Sequence, residues 1–207
     1  MYREELKKIL EKISDFEQLK FYNIPDIDLY MDQVTTFVEE KLGYLKRNKE
    51  DSALTKTMIN NYTKAGILMP PNKKKYSKQH MVFIILTYYL KQILSINDIQ
   101  RLFSPIVKSI NSGENHDKDL ENIYDCFLDI EKNEVDKFIR DFKDKISLDD
   151  SKFKNSGDSG GQESKKININ EEDEKDINSL IIMVIMLVVK ANIEKRMAEK
   201  IIDKFFE

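Results

Sequence analysis

A mainly α-helical fold is predicted for this chain. Apolar residues recur at helical spacing through most of the sequence, cap-forming residues stand at the starts of those segments, and glycine and proline fall at their ends. Along residues 1–24, Leu6, Ile9, Leu10, Ile13 and Phe16 form an amphipathic N-terminal helix. Pro25 interrupts it, and Asp28 caps a second helix over "LYMDQVTTFVEEKL", with Leu29, Val34, Phe37, Val38 and Leu42 as its buried stripe. Ser52 is the candidate cap of a third helix over 53–65, and Gly66 follows where a left-handed C-cap residue is wanted.

Pro70 and Pro71 hold the chain extended before three lysines, and Ser77 then opens the apolar helix "KQHMVFIILTYYLKQIL". Ser95 and Asp98 have capping-box spacing, and Ser104 with Pro105 is expected to restart a short helix. Within 111–146, apolar residues from Leu120 to Ile146 fit one long helix or two joined near Asn133. Residues 147–176 are rich in Ser, Gly, Asp, Glu, Asn and Lys, too polar to offset the entropy of ordering, and read as a flexible linker. Helix returns over 177–207, beginning with the ten-residue apolar run "LIIMVIMLVV".

That run is roughly half of what a bilayer crossing needs, so it is expected to be deeply buried. A single cysteine, Cys126, excludes an internal disulfide, and the charged start "MYREELKK" is unlike a secretory leader. A cytoplasmic location is expected, with no membrane partner. At 207 residues, 41% apolar and 34% charged, the composition excludes collagen-like and wholly disordered chains.

The net charge of −3 is unevenly spread. Residues 51–110 hold nine Lys and Arg against Asp51 and Asp98, a net +7, which leaves −10 for the rest. A basic module inside an acidic chain points to a polyanionic partner. On the third helix, Leu54, Met58, Ile59 and Tyr62 face a core, whereas Lys56, Thr57, Asn60, Thr63 and Lys64 fall on a face without a single acid. Lysine neutralises phosphates, and asparagine pairs with an adenine edge.

A helix, a turn, a polar second helix, a glycine stop, a basic loop after prolines and another apolar helix is the layout of a winged helix-turn-helix over 25–110. Here "INNYTKAGILMP", then "NKKKYSKQHM" and "QILSINDIQRLF", resemble the DNA-binding domain of MerR-type transcription regulators, over about Leu29 to Ile106. The resemblance implies that Tyr62 and Lys64 on the helix, and Lys74 and Tyr76 in the wing, contact the DNA backbone. Those regulators carry arginine where this chain has Asn60, and a glycine that this wing lacks. The arrangement is also similar to an uncharacterised family of Firmicute proteins, a domain of unknown function, for which the resemblance implies a transcription regulator with no known ligand.

The expected function is therefore DNA binding. Lys56, Thr57, Asn60, Asn61 and Lys64 meet bases or phosphates in the major groove, and Lys73, Lys74, Lys75 and Tyr76 hold the flanking backbone. The partners expected are double-stranded DNA and a second copy of the chain. Residues 177–207 are expected to supply the dimer contact or to pack on 111–146; a small-molecule effector is left open. The alternative is a non-enzymatic interaction module whose basic surface docks an acidic protein. His80, His116 and Cys126 lack metal-ligand spacing, Cys126 is expected on a core face, and the glycines at 157, 160 and 161 form no phosphate loop. No enzymatic activity, metal or cofactor is expected.

Overall fold

The computed structural model describes residues 2–15, 17–145 and 177–206; Phe16 and the predicted linker 147–176 lie outside the described residues. The described chain is mainly helical. Its elements are α1 (Tyr2–Ser14), β1 (Leu29–Tyr30), α2 (Met31–Leu42), α3 (Lys56–Lys64), β2 (Lys75–Tyr76), α4 (Lys78–Leu90), α5 (Ile96–Asn111), α6 (Asp117–Lys145) and α7 (Ile177–Phe205). They form two compact units, one of residues 1–18 and 128–192 and one of residues 19–127 and 193–207, so α6 and α7 each lend residues to both.

The larger unit is built around α4. Met81, Val82, Phe83, Ile84 and Ile85 are all buried, so this helix is apolar on every side and needs partners on every side. Val34, Val38 and Leu42 of α2, Ile59 and Tyr62 of α3, Ile99, Phe103 and Val107 of α5, and Leu120 and Tyr124 of α6 are the buried positions of the neighbouring helices. Phe83 meets Phe103 edge to face with ring centroids 5.1 Å apart. Near the unit's C-terminal end, Arg101 donates from Nε to the carbonyl of Phe206 (2.8 Å) and from Nη1 to Asp203 (2.8 Å). A cation at the end of α7 meets carbonyls that have no partner within the helix.

Several boundaries differ from the sequence expectation. Helix α2 starts at Met31, not after Asp28, because Leu29 and Tyr30 are drawn into an antiparallel pair with Tyr76 and Lys75. Helix α3 starts at Lys56, capped by Thr55, whose side chain accepts from the Met58 N–H (3.2 Å). Ser52 is not the cap, since Glu39 on α2 accepts the Ala53 N–H (2.8 Å) and holds residues 52–54 outside the helix, with Ala53 and Leu54 buried.

Helix α5 runs straight through Pro105. The proline is exposed and costs one backbone bond on the solvent side, while Ile99, Phe103 and Val107 hold the other side. Helix α6 is a single helix past Asn133. Cys126 is exposed, correcting its expected core position. The buried positions of α6 around it are 120, 124 and 128, and Cys126 lies two residues from two of them, on the far side of the helix.

In the smaller unit, α1, the second part of α6 and the first half of α7 share a core of Leu10, Phe142 and Met183, with Leu6, Phe138, Ile139, Leu180, Met186 and Leu187 around it. The run Leu180–Val189 was expected to be buried throughout; it is buried on this side only. Ile181, Ile182, Val184, Ile185, Val188 and Val189 remain about half exposed. Over an 18-residue stretch α7 is also long and apolar enough, by length and composition, to cross a membrane.

Candidate functional site

Three pieces of the larger unit carry the residues that the sequence singled out: the outer face of α3, the hairpin from Asn72 to Tyr76, and the start of α2. Helix α3 ends on the glycine the sequence marked. Gly66 takes φ 74°, Gly66 N–H donates to the carbonyl of Thr63 (3.1 Å) and Ile67 N–H to that of Tyr62 (2.9 Å), the paired bonds of a Schellman cap. Ile67, Leu68 and Met69 are then buried, which fixes α3 from its C-terminal side. Ile59 and Tyr62 are its core-facing residues, so Lys56, Thr57, Asn60, Asn61 and Lys64 all stand exposed.

Asn72 and Lys75 exchange both backbone bonds, Asn72 N–H to Lys75 O (3.1 Å) and Lys75 N–H to Asn72 O (2.9 Å), closing a two-residue hairpin. Its two central residues are Lys73 (φ 49°) and Lys74 (φ 65°). A turn with both central residues left-handed ordinarily takes Asn-Gly, and a lysine there costs about 1 kcal/mol or more. The hairpin therefore closes without a glycine by straining two lysines, and both side chains are exposed. In the pairing with β1, Tyr76 and Leu29 turn inward, 2% and 5% exposed, while Lys75 and Tyr30 turn outward with the ammonium 5.2 Å from the ring centroid.

The hairpin is anchored by His80. Its Nδ1 accepts the Ser77 N–H (3.1 Å), closing the cap of α4, and its ring meets Tyr76 edge on. That acceptance requires neutral imidazole, and burial pushes the His80 pKa below its usual value.

The structure brings α3 and the hairpin together at the start of α2. Lys56 forms an ion pair with Asp32, and Asp32 is two residues from Tyr30, the partner of Lys75. Tyr30 and Asp32 were not among the residues picked from the sequence; only the β1–β2 register places them here. The acid-free face of α3 thus has an acid beside it, contributed by another helix. Tyr62 and Tyr76 have almost no exposed surface, so at most a hydroxyl of either reaches a ligand, and burial pushes the Tyr62 phenol up to about 12.

A second polar cluster lies at the α5–α6 junction. His116 Nδ1 bonds Asp119 (2.9 Å), and its Nε2 faces Ser109 and Glu114. This line of serine, histidine and aspartate has the order of a charge-relay set, and Asp119 and then Glu114 push the His116 pKa up. Its hydrogen bonds run from Ser109 of α5 through His116 to Asp119 of α6 and tie the two helices together. Among the described residues no group of His, Cys, Asp and Glu is arranged to hold a metal.

Together these features define a helical domain that exposes a polar helix face and a strained lysine hairpin. A family model described as a domain of unknown function (DUF1836) matches residues 19–127, just over half of the chain, and the chain belongs to that family. The match has the same limits as the first segment of the larger unit, Leu19–Phe127, so the family domain is this fold's central piece. No curated protein matches the chain, and no solved structure matches it.

Proposed function

We propose that the larger unit binds double-stranded DNA as a transcription regulator, using a winged helix-turn-helix like that of MerR-type regulators. In this reading α2 and α3 are the helix pair and the Asn72–Tyr76 hairpin is the wing. Thr57, Asn60, Asn61 and Lys64 meet the major groove, and Lys56, Lys73, Lys74 and Lys75 meet phosphates.

The observation that carries the reading is the Lys73–Lys74 turn. A hairpin that only had to close would use glycine or asparagine at these φ values; keeping two lysines there accepts backbone strain and projects two cations from a rigid tip. The net +7 of residues 51–110 and the exposed amides of Asn60 and Asn61 support the same partner.

Selection of bound fragments from a random duplex pool tests it. An enriched motif of paired half-sites is expected, because a single small module buries too little surface for tight specific binding. Retention of every fragment alike would mark a general polyanion binder, and retention of none would favour the acidic-protein reading.

A further inference from the structure

We infer that the outward face of the first half of α7 is a self-association surface, covered by the same face of a second copy of the chain. The inward residues Leu180, Met183, Met186 and Leu187 already serve the core of the smaller unit, so the outward ones are not needed for folding. Ile181, Ile185 and Val188 follow one another at spacings of four and three, with Ile182 and Val189 on one flank and Val184 on the other. That spacing is the seam of two packed helices, and β-branched side chains are stiff knobs for it.

Three observations choose a second copy as the occupant. First, the face carries no charge between Leu180 and Val189, and a face that meets itself across a two-fold axis must not confront like charges. Second, six aliphatic side chains, each about half exposed, offer about 500 Å² per copy and about 1,000 Å² for the pair, the size at which specific interfaces begin.

Third, the flank that precedes the run is wrong for lipid. The run is preceded by the acidic stretch "EEDEKD", which anionic headgroups repel, and residues 177–207 contain neither Trp nor Tyr to form an interfacial belt. The uninterrupted apolar run is only ten residues, so any bilayer-length stretch of α7 has to place Lys190 within it.

Analytical ultracentrifugation of the full chain without DNA tests the inference. Sedimentation should move from the 24.4 kDa monomer to twice that mass at roughly micromolar concentration. Ile185→Asp with Val188→Asp should remain monomeric with an unchanged helical circular dichroism spectrum. If that pair fails to fold, Ile185→Gln with Val188→Gln should weaken association at least tenfold.

A wild-type chain that stays monomeric at high concentration, or a folded outward variant that associates like wild type, would overturn the inference. So would co-sedimentation of the wild type with phosphatidylcholine–phosphatidylglycerol vesicles, which would make lipid the occupant. Because no DNA is present, either result leaves the DNA reading to stand or fall on its own experiments.

Discussion

Lys56 of α3 is ion-paired with Asp32 of α2, and both side chains are largely exposed. The pair sets a carboxylate beside a basic helix face that carries no acid of its own. An exposed pair of this kind is worth up to about 1 kcal/mol. In the proposed DNA-binding function, a phosphate arriving at Lys56 would have to displace Asp32, a mild brake. Asp32→Asn should therefore tighten duplex binding by about two- to fivefold at low salt, and the gain should shrink as salt rises. Fluorescence anisotropy with a labelled duplex reads both effects.

The strained hairpin predicts a trade between stability and binding. Lys74→Gly relieves a left-handed lysine, so the melting temperature should rise by about 2–4 °C, for a gain near 1 kcal/mol. The same change removes a cation, so affinity for duplex should fall and the salt slope should flatten by about one unit. Calorimetry and binding on one variant check both signs; a change that lowered stability would contradict the strain.

The two histidines should pull the pH dependence in opposite directions. His80 is held neutral by burial, so its pKa in the folded chain lies below the unfolded value of about 6.5. Between those two values the unfolded chain binds more protons, and stability is lost as pH falls below about 6.5. His116 is raised by Asp119 and Glu114, so its contribution is present below about 6.5 and is lost as pH rises through its higher folded pKa. His80→Gln should reduce the acid-side loss and His116→Gln should remove the loss that sets in as pH rises above about 6.5, as read by urea unfolding between pH 5 and 8.

Arg101 is expected to hold the end of α7. It donates to the carbonyls of Phe206 and Ile202 and pairs with Asp203, so Arg101→Ala takes a donor from the Phe206 carbonyl and the cation from Asp203, while the Ile202 carbonyl keeps the Phe206 N–H. Global stability should fall by about 1–3 kcal/mol, and amide exchange should quicken first in the last turns of α7. Uniform quickening across α4 and α5 would mean that Arg101 supports the whole unit instead.

Much of the fold was legible because helices announce themselves locally. Gly66 as a left-handed stop, the Ser77 and Ser95 starts, and the core positions Val34, Val38, Leu42 and Ile59 follow from spacing and capping alone. The errors fall where a distant residue decides. Ser52 lost the cap to Thr55 because Glu39, on another helix, holds Ala53; Asp28 lost its cap because Tyr76 pairs with Leu29.

The candidate site shows the same division. The exposure of Lys56, Thr57, Asn60, Asn61 and Lys64 follows from helical periodicity, whereas Tyr30 and Asp32 enter only through the β1–β2 register. The sequence pointed to 177–207 as a dimer contact or a packing partner of 111–146, but not to which face of α7 does which. A run apolar on all sides reads as core, and nothing in one sequence says that α1 and α6 supply packing on one side alone.

Duplex binding measured across a salt series, for the full chain and for Lys73→Ala/Lys74→Ala/Lys75→Ala, tests the central claim most directly. The account predicts a wild-type affinity whose logarithm falls linearly with log salt, with a slope of about −0.9 per phosphate contact, and a triple variant that loses up to about three units of that slope. Negligible wild-type binding at low salt, or a triple variant with wild-type affinity and slope, would contradict it.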